Sequence, residues 1–144
     1  MSISARIASR GTAPSYSHIS TPPASSRVLT ICRAGHVRPV VRKSDGSVEL
    51  SHADGHLLGI LPDVSFSPAS TVLSPDTVVV FYTDGLTEAR DGASRIGDTR
   101  VLDMIARTKT ARAVAVIDQI EGLIRALGDG VEGDIAVLVV GSAK

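Results

Sequence analysis

Asp84 and Gly85 are the residues of this chain whose types and position best suit chemistry, because they follow directly on the apolar run Val78 to Tyr82 and Thr83. A carboxylate at the tip of a buried strand has a rigid base and a fixed direction, and a glycine behind it lets the backbone turn sharply without a Cβ in the way. Such a carboxylate can hold a hard cation. Magnesium and manganese prefer oxygen ligands, and a metal ion lowers the pKa of bound water from 15.7 to about 7, which makes hydroxide available near neutrality. The competing reading is an ordinary Asp-Gly turn, and spacing alone does not choose between the two.

Other candidates are weaker. His52 and His56 have the i,i+4 spacing of a zinc pair, but Asp54-Gly55 between them breaks the helix that would align the two imidazoles. His36 follows Ala34-Gly35 at a predicted turn, where a hydrogen-bonded structural histidine competes with a site-proximal role. Glu88, four residues beyond Asp84, reads either as a residue at a helix start or as a neighbour supporting the site. The hydroxyls between Ser65 and Ser74 lack a Gly-x-Ser-x-Gly elbow and a matched base, so nucleophilic catalysis has little support. Cys32 is the only cysteine, which excludes an intramolecular disulfide and a CxxC site and leaves the expectation of a small buried apolar side chain.

The elements that must position these residues read as α+β. Residues 1–26 are rich in Ser, Thr, Pro and Ala with no sustained period, and are expected to form a disordered tail ahead of a domain over 27–141. From Val28 short β-branched runs alternate with turn signals, and Asp45-Gly46 between "VVRK" and "SVEL" predicts a hairpin. Pro68 demotes "SFSPASTVL" to an edge strand or a bulge. The run Val78 to Tyr82 is continuously apolar, as in a strand covered on both faces, and Ile135 to Val140 is a second such run expected beside it. Between them the period changes to that of helices. Asp98 is expected to cap a short helix carrying Val101, Leu102 and Ile105, and a second helix fits Thr110 to Leu127, ended by Gly128.

Composition narrows the partners. The chain has 144 residues with 15 basic and 15 acidic side chains, so no net field draws it to nucleic acid or to an anionic membrane. Its 43% hydrophobic content is enough for one core, and no apolar run reaches the ~18 residues of a membrane span. The expectation is a cytoplasmic protein.

The segments "AGH" at 34–36, "LLGILPD" at 57–63, "VVVFYTDGLTEARDG" at 78–92 and "GDIAVLVV" at 133–140 occur in an order that resembles the C-terminal part of the PPM-type, metal-dependent serine/threonine protein phosphatases, in the bacterial stage II sporulation protein E branch. The resemblance implies a β-sandwich flanked by helices in α/β/β/α layers, and two Mn²⁺ or Mg²⁺ ions held by carboxylates. It also implies direct attack by a metal-bridging hydroxide on phosphoserine or phosphothreonine of a regulatory phosphoprotein in signal transduction, such as an anti-sigma factor antagonist. Asp84 matches the family's metal-binding aspartate and Gly85 its turn glycine. Where the family has a second metal-binding aspartate this chain has Gly133, leaving Glu132 or Asp134 as substitutes. The family's N-terminal aspartate motifs are not found, so the domain reads as truncated, with its N-terminal half absent. "CRAGHVRP" also departs from the family's Asn-Ala-Gly-His-Pro-Pro, with Arg33 in place of asparagine. Three readings follow: an active phosphatase, a noncatalytic interaction module on the same fold, and an inactive truncated remnant. Uncovered sheet edges would favour association with another chain.

Overall fold

The computed structural model describes residues 3–9, 17–18, 27–59 and 63–142. In chain order the strands begin with β1 (Ile3–Ser9), β2 (Ser17–His18), β3 (Val28–Ile31), β4 (Val40–Arg42) and β5 (Val48–Leu50). They continue with β6 (Asp54–Gly55), β7 (Phe66–Ser67), β8 (Ala69–Val72) and β9 (Val78–Tyr82). After β9 come α1 (Asp84–Glu88), the small hairpin β10 (Arg90–Asp91) and β11 (Ser94–Arg95), the helices α2 (Gly97–Ala106) and α3 (Ala113–Leu127), and finally β12 (Ala136–Ser142).

A five-stranded sheet, in the order β1-β12-β9-β4-β5, forms the centre of the molecule. Its pairings are antiparallel, and β12 lies against β9 with Val139 opposite Val80 and Val137 opposite Tyr82. The two continuous apolar runs are therefore neighbours, as their composition predicts. Each is apolar on both sides because each serves two cores. Val78, Val80 and Tyr82 join Val137 and Val139 against Leu86, Val101, Ile105, Val116, Ile117 and Ile120 of the helical layer. Val79 and Val140 face the other way, onto Leu29, Ile31, Ala53 and Leu73. That second core is closed by a three-stranded sheet, β2-β3-β8. The described residues thus stack as helices, sheet and sheet; a helix outside the second sheet, the fourth layer of the expected stack, is not among them.

Local chemistry explains most boundaries. Asp45 accepts from the Ser47 amide and hydroxyl, and Gly46 and Lys43 close the turn between β4 and β5. Pro68 separates β7 from β8, which runs at the edge of its sheet. Cys32, expected to be buried, is exposed just beyond the end of β3. Two expectations are corrected at the helices. Asp98 does not cap α2, which begins at Gly97 with Ile96 in the capping position; burial, with the charge and hydrogen bond of Asp98, instead holds the buried Tyr82 hydroxyl well above the usual tyrosine range. The second helix starts at Ala113 rather than Thr110, because Arg112 is extended. Ile3–Ser9 forms a strand where an irregular lead is expected; Ile3, Ala5 and Ile7 alternate with Ser4 and Arg6, a short period of 2 that pairing with β12 makes decisive. The remainder of the expected tail, residues 10–16 and 19–26, lies outside the described residues, as do residues 60–62 of the "LLGILPD" segment. No helix of the described residues is long and apolar enough to cross a membrane.

Among the described residues Arg42 is the one buried charged side chain, 8% exposed. Its Nη2 donates to the Thr108 carbonyl at 3.0 Å, while its Nε is buried without a partner among the described residues. A buried cation with an orphan donor contributes little net stability, although the volume of its side chain does contribute. Arg42→Met is therefore expected to unfold in urea within about 1 kcal/mol of the parent. Arg42→Ala, which leaves a cavity, is expected to cost about 3 kcal/mol.

Candidate functional site

At the end of β9 the chain leaves the core through Thr83 and turns into α1, whose first residue is Asp84. Thr83 is extended, with φ −84° and ψ 159°, and occupies the N-cap position, yet its hydroxyl makes no capping bond. Instead Thr83 Oγ1 donates to the Asp134 carbonyl at 2.8 Å and accepts from the Ala136 amide at 3.0 Å. The Thr83 amide donates to the Ala136 carbonyl at 3.1 Å. Three hydrogen bonds thus join the corner after β9 to the approach to β12.

Gly85 makes the contact tighter still. It is buried, and a Cβ placed on it would lie 2.5 Å from the Asp134 carbonyl oxygen and 3.0 Å from the carbonyl carbon. Backbone meets backbone there, and no larger residue fits without separating the two segments. Gly133 stands on the other side of the same junction, its own absent Cβ 3.5 Å from the Gly85 Cα.

The fold therefore brings Asp84, Gly85, Gly133 and Asp134 together from positions some 50 residues apart in sequence. Asp84 and Asp134 are both exposed, on directly apposed backbone, and among the described residues no basic side chain pairs with either. Glu88 is placed at the far end of α1, where it pairs with Arg95 at 3.5 Å, both exposed. His36 sits in a different cluster: Arg33 Nη1 donates to the His36 carbonyl at 2.6 Å, Nε donates to the Ala53 carbonyl at 3.2 Å, and Nη2 pairs with Asp54. The hydrogen bond and charge of Arg33 hold the Asp54 carboxyl below the usual carboxylate range. Arg33, a departure from the family pattern, thus fastens the loop at 33–36 to Ala53 and Asp54, at the start of β6.

Sequence reasoning finds Asp84 and Gly85 but passes over Thr83. The available signal is a capping-type residue placed between a strand and an Asp-Gly pair, whose side chain is then free to bond elsewhere.

Two exposed carboxylates on adjoining backbone, open to water, suit the donor chemistry of one hard cation that keeps several of its waters. They do not suit a two-ion centre, since no group of three or more His, Cys, Asp or Glu converges among the described residues.

Comparison with known proteins bears on the fold and the family. The family model described as stage II sporulation protein E (SpoIIE) matches residues 18–142. The solved RsbU and RsbW domains of Rv1364c from Mycobacterium tuberculosis superpose with a TM-score of 0.63 at 29% identity, over 81% of this chain and 33% of that one. The Mn-presoaked phosphatase domain of the cell fate determinant SpoIIE from Bacillus subtilis gives 0.63 at 17% identity, over 98% and 58%. Protein IcfG of Synechocystis sp. is 27% identical over 105 residues, 67% of this chain and 17% of that protein. The chain thus spans less than two thirds of the length of each of these relatives.

Proposed function

This chain belongs to the stage II sporulation protein E family, and from that premise we propose that it serves a metal-dependent protein serine/threonine phosphatase activity in which Asp84 is a metal-holding residue. The fold is that of PP2C-type phosphatase domains. The observation that carries the reading is the corner itself: a buried strand ends by presenting an exposed Asp84, and Gly85 seats that corner against Asp134.

Mn²⁺ or Mg²⁺ is the cofactor class, with Asp84 as its holder and Asp134 as the second carboxylate in place of the family's acid at Gly133. Such an ion, when bound, activates water and offsets charge on phosphoryl oxygens. The chain's own part is to hold Asp84 on a rigid strand end and to keep it open to a substrate as large as a protein loop. The substrate class is phosphoserine or phosphothreonine on a small regulatory protein of the cytoplasm, such as an anti-sigma factor antagonist.

A second reading, a noncatalytic interaction module, is favoured by one observation: Gly133 stands where the family carries an acid. Phosphate release from a phosphoserine peptide, with and without Mn²⁺, separates the two. Manganese-dependent release that falls at least about tenfold in Asp84→Asn, a loss of roughly 1.4 kcal/mol or more in transition-state stabilisation, is the expected result. A folded sample with no manganese-dependent release supports the interaction module instead.

A further inference from the structure

β12 is anchored on one edge by β9 and through its side chains by both cores, with Val137 and Val139 against the helical layer and Val140 against the second sheet. Its other edge is covered by β1 over seven residue pairs, from Ile3 opposite Ser142 to Ser9 opposite Ala136. No local turn ties these two strands. They lie at 3–9 and 136–142, and β1 runs on through residues 10–16 to β2, which belongs to the other sheet. The family match begins at residue 18 and leaves β1 out, whereas the superposition on the Mn-presoaked SpoIIE phosphatase domain covers 98% of the chain, which takes β1 in. The fold has a seat beside β12, and this chain fills it with sequence from outside the matched domain. Without an occupant, that seat is a row of unpaired amides and carbonyls along the largely apolar run Ala136–Ser142.

From these observations we infer that the outer edge of β12 is a strand-docking site, and that Ile3–Ser9 is a detachable strand that occupies it in its own chain or in a second copy. Strand addition of this kind takes its affinity from main-chain hydrogen bonds, so an extended segment in register is its main requirement. The same segment of a second copy makes the same pairs, and exchange of an identical element is a low-cost route to a dimer. The strand of the same chain has the advantage of its tether. A tethered segment acts at an effective concentration of about 1 mM, so the exchanged dimer fills only as the protein approaches that concentration. Below it, β1 guards the edge of β12 against other strands. The inference is independent of any metal at Asp84.

The test combines hydrogen exchange in the full chain with binding of a fluorescent peptide, MSISARIASR, that copies residues 1–10. In the parent, the amides of Ile3–Ser9 that pair with β12 should exchange at least about tenfold faster than those of β9, since a detachable strand opens without global unfolding. The double variant Ala5→Pro, Arg6→Pro strips β1 from its seat: successive amides of a strand point to opposite edges, so one of the two prolines must remove a ladder bond. That variant should bind the peptide with a Kd on the order of 10 µM and regain protection of Ala136–Ser142, while the parent, whose own strand competes, should bind it about a hundredfold more weakly. Sedimentation of the parent at about 1 mM should show a dimer that the double variant does not form. Exchange of Ile3–Ser9 as slow as that of β9 overturns the inference, because β1 is then an inseparable part of the sheet. A folded double variant that binds the peptide no better than the parent does, or no better than it binds a scrambled peptide, also overturns it. A parent that stays monomeric at that concentration overturns the role of the second copy. Should the double variant fail to fold, the exchange comparison within the parent still decides.

Discussion

Gly85→Ala is expected to unfold about 10 °C below the parent in a thermal melt followed by far-ultraviolet circular dichroism, the sharpest loss from any single methyl in this chain's corner. The added carbon would stand 2.5 Å from the Asp134 carbonyl oxygen, a distance no non-bonded carbon and oxygen sustain. The obstacle is backbone, so no rotamer change relieves it. Two forces oppose each other. Alanine favours a helix over glycine by about 1 kcal/mol, but α1 has only five residues, and overpacking, usually about 1–3 kcal/mol, reaches about 3–4 kcal/mol where backbone blocks the methyl. The penalty wins by about 2–3 kcal/mol, which for a domain of this size corresponds to roughly 10 °C. Separation of the segments would also lengthen the Thr83 hydrogen bonds to Asp134 and Ala136, so manganese affinity should drop even well below the melting point. A melt within about 2 °C of the parent would show that the junction has room the structure does not give it.

Gly133→Asp is expected to do the opposite to function and little to the fold. Its Cβ would meet only the Gly85 Cα, at 3.5 Å, an ordinary van der Waals contact, and Gly133 is not among the residues of positive φ. Backbone therefore admits a side chain at 133 while forbidding one at 85. The substitution puts a third carboxylate beside Asp84 and Asp134, at the position where the family carries its acid. An added unit charge about 4 Å from a cation is worth about 4 kcal/mol per unit of cation charge at an effective dielectric constant of about 20, less the cost of drawing the acids together. A manganese Kd lowered on the order of a hundredfold is the expected outcome of a calorimetric titration. An unchanged Kd in a folded variant would mean that position 133 does not face the ion.

Much of this arrangement is legible in the sequence because the relevant signals are local. Val78 to Tyr82 and Ile135 to Val140 announce strands with two buried faces by lacking any alternation, and the paired cores confirm it. Asp45-Gly46 announces its hairpin through turn chemistry that needs no tertiary help. What the sequence hides is what depends on distant partners. The alternation in Ile3–Ser9 is brief and flanked by polar residues, and its strand exists through pairing with β12. Asp98 has a capping residue's chemistry but stands two positions past the N-cap, beside a buried tyrosine whose hydroxyl has stronger need of it. Thr83 is silent for the same reason: its partners lie at 134 and 136, and no window along the chain contains both ends of the bond. Arg33 resembles a mere substitution in a turn until Asp54 and the Ala53 carbonyl are brought beside it.

The bond between Thr83 and Asp134 joins residues 51 apart in sequence, and α1, α2 and α3 all lie inside the loop it closes. Bringing the ends of such a loop together costs about 3.5 kcal/mol of chain entropy beyond a constant, and nothing local returns that cost before β9 and β12 pair. The carboxylate corner is accordingly a late product of folding, assembled only when the long-range strand pairing forms. Docked helices without the paired strands would present Asp84 with no Asp134 beside it, so binding competence and native topology arrive in a single step.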